Sequence, residues 1–317
     1  MLRNRKLNHP WLVAVWPGMG NVALSAGYYL LAKLGMYQLA EFTAGGLFDV
    51  DQIEVKDGLI LPPERPRSRF YAWQSPEGVR DLVVFIGEAQ PPLGKFSFCE
   101  SLVDYALDLG VEQVFTFAAM ATQMHPHHDS RVFGAATHDD KLQTLQVLGL
   151  QVEMLDEGHI GGLNGVLLGV AAEKGLPGIC LLGEMPHVFA QLPFPKASLA
   201  VLKVFAQMAN IHLDFSELAE QAQEIERRLG EFLAKMEQRL SKRESVSDET
   251  DEFTAVTGEE AKDEEQLSDS EKDRIEALFR ASREDRSKAY ELKKVLDEMG
   301  VFAEFEDRFL DLFKDQT

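Results

Sequence analysis

Hydrophobic residues along the first 240 positions form short continuous runs that alternate with stretches of helical periodicity. The runs are rich in Val, Ile, Leu and Phe and predict strands at 12–16, 37–42, 69–74, 81–89, 111–120, 131–137, 150–155 and 178–184. The periodic stretches predict helices at 21–35, 96–110, 139–149, 163–175, 196–210 and about 214–240. Strands that are apolar throughout and separated by helices are typical of a mostly parallel sheet covered on both faces. The pattern therefore predicts an α/β core domain over residues 1–241.

Residues 242–270 have a different composition, with few apolar positions and a dense negative charge. Between Glu244 and Lys272 there are twelve acidic residues and two lysines, which make up half of the chain's formal net charge of −20. Such a segment cannot bury enough apolar surface to offset the entropy of ordering, so we expect an acidic, disordered linker here.

Helical periodicity returns after this linker. Apolar stripes in "ELKKVLDEMG" and "VFAEFEDRFLDLFKD", with a third helix near 271–282, predict a helical C-terminal segment over 271–317. Two arrangements are open at this point. The helices dock on the chain's own core or on a sister subunit, or they form a tethered module that binds another protein.

Composition and charge exclude several classes of function. The acidic balance argues against nucleic-acid binding, which usually needs a basic face. No apolar run reaches the roughly 18–20 residues that span a bilayer, and the apolar run after the basic N-terminus covers only Trp11 to Trp16 before Pro17 interrupts it. Cys99 and Cys180 lie in apolar runs without metal-type spacing, so we expect reduced core residues in a cytoplasmic protein.

The first strand leads into a glycine turn that can be written Gly18-x-Gly20-x-x-Ala23. This is a permitted form of the dinucleotide fingerprint, and the next strand carries Glu41 about where a ribose-binding acid is expected. Pro17 inside the turn argues against that interpretation. Two others stay open: an anion or ligand contact at the helix N-terminus, through Gly18, Gly20 and Asn21, or a purely structural turn.

Other candidate ligand groups follow later strands. Glu88 in "GEAQPP" and Glu184 in "GEMPH" end apolar strands, where ligand groups of open α/β sheets gather. Gly161, Gly162 and Asn164, in "IGGLNG", could present backbone amides to an anion, although we favour close helix–sheet packing through Gly165 and Gly169 as the reason for these glycines. An enzyme or small-molecule binder would bring all these segments to one pocket.

The segment "MHPHHDS" resembles a metal motif in its spacing. His125, His127 and Asp129 match H-x-H-x-D, but Ser130 stands where a further ligand is usual. Zinc needs at least three protein ligands in a fixed geometry, and nothing local brings another histidine to the same place. We therefore favour a solvent-facing loop, without a metal.

Several stretches together resemble the proteasome assembly chaperone 2 family. They are "PGMGNVA", "GEAQP", "RVFGAATHDDKLQTLQVLG", "IGGLNGVLLGVAAEKGLPGICLLGE" and "FPKASLAVLKVFAQMANIHLDFSELAEQAQEIE", in the family's order, over roughly residues 11–228. The resemblance implies a phosphorylase/hydrolase-like three-layer α/β/α sandwich with a mostly parallel or mixed sheet, usually a homo-oligomer. It implies no established catalytic residues and no cofactor.

The resemblance also implies a mode of partner binding that this sequence does not share. Family members that act as proteasome assembly chaperones carry a terminal hydrophobic–Tyr–any tail, whereas the sequence here reads Asp315-Gln316-Thr317. This difference argues against proteasome docking through such a tail. The leading hypothesis is a non-catalytic assembly-chaperone-like protein with unknown protein partners. The alternative is an enzyme or a nucleotide or phosphate binder of the same fold.

Overall fold

The protein was analysed as a computed structural model. It describes residues 6–43, 45–50, 52–53, 55–56, 58–63, 65–147, 151–244 and 267–314. Side chains are described for these residues except at 45, 147 and 235–244.

Ten strands and nine α-helices make up the described residues. The strands are β1 Trp11–Val15, β2 Tyr37–Phe42, β3 Val55–Lys56, β4 Leu59–Ile60, β5 Ser68–Trp73, β6 Leu82–Gly87, β7 Gln113–Thr122, β8 Val132–Ala136, β9 Val152–Met154 and β10 Gly178–Pro186. The helices are α1 Val22–Lys33, α2 Lys95–Asp108, α3 Asp139–Val147, α4 Gly162–Glu173, α5 Pro195–Ala209, α6 Ser216–Glu244, α7 Asp269–Glu284, α8 Ala289–Glu298 and α9 Phe302–Leu310.

Eight strands form one mixed sheet in the order β2-β5-β6-β1-β7-β10-β8-β9. The four central strands, β6, β1, β7 and β10, are parallel to one another. Strand β5 is antiparallel to both β6 and β2, so β2 runs in the same direction as the central strands. The carboxyl ends of β1, β2, β6, β7 and β10 therefore lie along one edge of the sheet, here called the carboxyl edge.

Helices cover both faces of this sheet and give three layers. Side chains alternate along each strand, so Val13 and Val15 of β1 join the core on one face while Leu12 and Ala14 join the core on the other. Helices α1, α5 and α6 cover the first face, and α2 and α4 cover the second. The predicted three-layer α/β/α fold is confirmed.

The C-terminal helices pack on the first face of the chain's own core. Tyr28 of α1 makes an edge-to-face ring contact with Phe309, at 5.7 Å between centroids, and donates a hydrogen bond to Glu306. Tyr29 contacts Tyr290 in the same way at 4.6 Å. Of the two arrangements that the sequence left open, the structure therefore has the docked one.

The helix boundaries follow local sequence signals. Helix α7 begins with a capping box, in which Ser268 and Glu271 satisfy each other's backbone N–H groups. Gly110, just after α2, has φ +78°, which fits the left-handed helix end expected there. The predicted linker 242–270 falls largely on residues 245–266, outside the described residues.

The structure adds one element that the sequence pattern did not predict. Strands β3 and β4 pair as a small antiparallel hairpin within what was expected to be an extended loop. Within the described part of the chain, no helix is long and apolar enough to cross a membrane.

Candidate functional site

The glycine turn after β1 packs against the loop that follows β10. Gly20 has φ +63°, and a Cβ there would lie 2.7 Å from the Sδ of Met185. Its N–H donates to the carbonyl of Ala190 at 2.9 Å, and its own carbonyl accepts from Phe194 N at 2.9 Å. The N–H of Asn21 donates to Gly18 O at 3.0 Å. Two amides of this turn are therefore committed to protein carbonyls.

Gln90 joins the first glycine turn to the N-terminus of α4. Its Nε2 donates to Pro17 O, and its Oε1 accepts from the N–H of Leu163, both at 3.1 Å. Gly162 has φ +66°, and a Cβ there would lie 2.7 Å from Gln90 Oε1. Asn164 follows, with its side-chain Oδ1 buried and without a hydrogen-bond partner among the described residues. Gln90 was not among the predicted ligand residues, although it lies in the segment "GEAQP".

Glu88 belongs to an ion-pair cluster that joins β5 to the C-terminal helices. Its carboxylate accepts hydrogen bonds from the backbone N–H of Arg67 and from Nη1 of Arg69, each at 2.6 Å. Arg69 is 1% exposed and also contacts Asp307 of α9. Burial raises the pKa of Glu88. A charged residue inside the predicted strand "RFYAWQ" was the available signal for this buried cluster.

Glu184 lies on β10 and belongs to a separate cluster. Strand β10 is three strands away from β6, the strand that Glu88 follows. Arg131 binds it with two hydrogen bonds, Nε to Oε2 at 2.8 Å and Nη2 to Oε1 at 2.6 Å. Thr122 Oγ1 donates a third hydrogen bond at 2.8 Å. The hydrogen bonds from Arg131 hold the pKa of Glu184 below its ordinary value. This carboxylate therefore ties the end of β7 and the start of β8 to β10.

The seven predicted ligand residues thus fall into three groups. The turns at Gly18–Asn21 and Gly162–Asn164 meet through Gln90. Glu88 and Glu184 each bind a different arginine. Their role as ligand contacts stays a prediction.

The histidine segment makes ordinary side-chain contacts. His127 Nδ1 lies 3.0 Å from Glu226 Oε1, and Glu226 also pairs with Lys196 at 2.7 Å. Nowhere in the described residues do three or more His, Cys, Asp or Glu side chains form a group that could hold a metal ion.

Exposed apolar side chains concentrate at the carboxyl edge. Twelve large apolar side chains are exposed among the described residues, and ten of them lie on this side of the molecule. They belong to the loops that follow β1, β2, β6 and β10, to the β3–β4 hairpin, to the first turn of α2 and to α6. We call these ten residues the apolar rim: Met19, Ile53, Val55, Leu59, Ile60, Leu93, Phe96, Val188, Leu192 and Phe232. The other two, Val79 and Leu107, lie at the opposite edge. Exposed apolar side chains that concentrate on one side of a protein are typical of protein-interaction sites.

A cleft of about 610 Å³ opens beside the end of β2. It lies between the 3₁₀ turn Gly45–Leu47 and the first turns of α2. Its lining residues are Phe42, Thr43, Gly46, Leu47, Arg65, Ser97, Phe98 and Ser101. Two of the lining segments lead directly to rim residues. The β3–β4 hairpin lies between Leu47 and Arg65 in the chain, and Phe96 precedes Ser97.

Comparison with known proteins identifies the family of this core. A model of the PAC2 family matches residues 12–233, well over half of the chain. The chain belongs to the PAC2 family.

Relatives of the PAC2 core include solved archaeal structures. Pyrococcus furiosus PbaB, described as an archaeal proteasome activator, superposes with a TM-score of 0.63 at 26% identity, covering 73% of this chain and 96% of that one. P. furiosus PbaA, described as an archaeal homolog of proteasome-assembly chaperone, gives 0.56 at 26% identity, covering 76% and 94%. An uncharacterised protein of Methanocaldococcus jannaschii is 28% identical over 241 residues, 74% of this chain and 87% of that protein.

Helices α7–α9 lie beyond the part of the chain that the PAC2 family model matches. The contacts of Arg67 and Arg69 with Asp307 therefore join the PAC2 core to a C-terminal addition.

Proposed function

We propose that this PAC2-family protein is a non-catalytic, assembly-chaperone-like protein that binds a protein partner through the apolar rim. The observation that carries the proposal is the concentration of exposed apolar side chains at one edge of the sheet. Glu88, Glu184 and the N–H of Gly20, at the same edge, are all bonded to other protein groups. This favours a protein-binding function over the binding of a small ligand by these groups.

The relatives support this class of function. PbaB is described as a proteasome activator and PbaA as a homolog of a proteasome-assembly chaperone. We extend to this chain the general role of binding another protein during assembly. Association of the chain with copies of itself, in the cytoplasm, is part of the proposal. Buried, unpaired Cys99 and Cys180 fit a reducing compartment.

Two further predictions from the sequence are part of this proposal. The first is the division of the chain into a core at 1–241, a linker at 242–270 and a helical segment at 271–317. The second is the binding of a ligand at the turns Gly18–Asn21 and Gly162–Asn164, which Gln90 joins.

The test compares rim variants with a matched control. Val188→Asp combined with Leu192→Asp places two charges on the rim, whereas Val79→Asp changes an equally exposed valine at the opposite edge. Tagged full-length proteins are incubated with native lysate of the source organism, and captured proteins are identified by mass spectrometry and rebound in purified form. We expect the wild type and Val79→Asp to bind the same purified partner and the rim variant to lose it. Recovery of the bait alone, or equal binding by all three proteins, contradicts the proposal.

A further inference from the structure

We propose that the cleft beside β2, together with the outer edge of that strand near Phe42, binds an extended acidic peptide segment of the partner protein. This inference rests on the proposed function and specifies one contact within it. Three observations carry it: the shape of the cleft, the position of β2 in the sheet, and the charge of the lining.

The cleft is open to solvent rather than enclosed. Three of its lining residues, Phe42, Leu47 and Phe98, are apolar. Sites for small ligands are usually enclosed and bury roughly 70–90% of the ligand. An open cleft with apolar lining residues instead suits a chain segment that inserts one side chain and continues past it.

The end of strand β2 offers backbone pairing beside this cleft. The strand is the terminal one of the sheet, and β5 is its only strand partner in the described residues. Extended peptides add to the edge strands of sheets through main-chain hydrogen bonds, while pockets for alternate side chains supply specificity. Phe42 and Thr43, at the end of β2, line the cleft. A strand added along β2 therefore runs into the cleft.

The described lining of the cleft carries one positive charge and no negative charge, whereas the whole chain is acidic. Among the described lining residues, Arg65 is the single charged side chain, and three hydroxyl groups, from Thr43, Ser97 and Ser101, supply the other polar side chains. The whole chain carries 52 acidic and 32 basic residues.

Arg65 differs from its neighbours along the chain. Arg67 and Arg69 are paired with Glu41, Glu88 and Asp307. No described carboxylate pairs with the guanidinium of Arg65. A peptide carboxylate would form a charge-assisted hydrogen bond there. The peptide that we propose is thus extended, with one apolar side chain that contacts Phe42, Leu47 and Phe98 and an acidic residue next to it that pairs with Arg65.

The test begins with selection of peptides by the full-length protein from a phage-displayed library of random decapeptides. We expect enrichment of sequences that place Asp or Glu next to a large apolar residue. The best synthetic peptide, labelled with fluorescein, is then titrated by fluorescence anisotropy. Arg65→Glu should weaken binding about tenfold or more, since a hydrogen bond to a charged group is lost and repulsion replaces it.

Matched variants separate the cleft from general effects of charge and folding. Arg274→Glu makes the same change of charge on an exposed residue of α7 and should leave the affinity unchanged. Ser101→Trp fills the cleft from an exposed helix position and should abolish binding without touching Arg65. N-methylation of alternate backbone amides of the peptide should also abolish binding if the peptide pairs with β2. Thermal melts confirm that each variant is folded.

Three results overturn the inference: no enrichment, enrichment of peptides without acids, or affinities that Arg65→Glu and Ser101→Trp leave unchanged. If purified partner still binds the wild type and is lost in the Val188→Asp and Leu192→Asp variant, only the inference about the cleft fails. If that partner binding is also absent, the proposed function fails with it.

Discussion

Replacing Asp307 by Asn should weaken the attachment of the C-terminal helices to the PAC2 core. The change removes the carboxylate of α9 that accepts hydrogen bonds from Nη1 of Arg67, at 3.0 Å, and from Nη2 of Arg69, while Glu88 still pairs with Arg69. A hydrogen bond to a charged group contributes about 1.5–3 kcal/mol, and breaking a buried ion pair costs about 3–5 kcal/mol. Because Glu88 continues to compensate Arg69 and Asp307 is half-exposed, we expect the lower part of this range, about 2 kcal/mol.

Thermal unfolding and hydrogen exchange measure this effect. For domains of roughly 150–250 residues, 1 kcal/mol lowers Tm by about 2–4 °C, so Tm should fall by about 4 °C or more. Peptides from α9 should exchange faster, while those from α4, on the opposite face, should not change. Glu112→Gln is the control, since its exposed pair with His9 should contribute at most about 1 kcal/mol. Equal Tm values for the two variants, with unchanged exchange in α9, would refute the role of Asp307 in attaching this helix.

Three further predictions concern the carboxyl edge. Glu184→Gln should lower the stability of the protein at pH 7. The pKa of Glu184 is lowered in the folded state, so the carboxylate stabilises the fold above its ordinary pKa of 4.5, and this contribution is lost as the pH falls further. Urea unfolding of the variant should therefore show a smaller loss of stability between pH 7 and pH 4 than that of the wild type, and an equal loss would contradict the pairing with Arg131. Gly20→Ala should lower the free energy of unfolding by about 2 kcal/mol, because φ is +63° and the new Cβ meets Met185, whereas Gly18→Ala, with open space around it, should change it little. Similar urea midpoints for the two variants would contradict the packing of this turn. A panel of nucleotides, nucleosides and phosphate should leave Tm unchanged, since a ligand at 100 times its Kd would add about 2.7 kcal/mol, and a reproducible shift would favour the small-molecule alternative.

Hydrophobic pattern alone was sufficient to predict most of the fold. The central strands are buried on both faces, so β1, β6 and β10 are continuous apolar runs that stand out in the sequence. The stripe of Phe302, Phe305 and Phe309 likewise predicted α9. The β3–β4 hairpin was missed because each strand has only two residues and both are exposed, which leaves no alternation to detect.

The partners of the candidate residues could not be predicted from the sequence. Glu88 and Glu184 lie at the carboxyl ends of apolar strands, a position that is typical of ligand groups. An acid at a strand end can equally pair with an arginine of the same protein, as both do here. Arg69 is brought to Asp307 across 238 residues, and no local pattern encodes such a contact. The apolar rim was hidden for a related reason: exposed and buried apolar residues look alike until the packing is known.

A hydrogen-exchange footprint of the full-length protein bound to its purified partner tests directly whether the apolar rim binds that partner. We expect slower exchange at the carboxyl edge, in the segments around Leu93–Phe96 and Val188–Leu192, with no change in the loop around Val79. Protection confined to that opposite loop, or none at either edge, would contradict the claim that the apolar rim is the partner-binding surface.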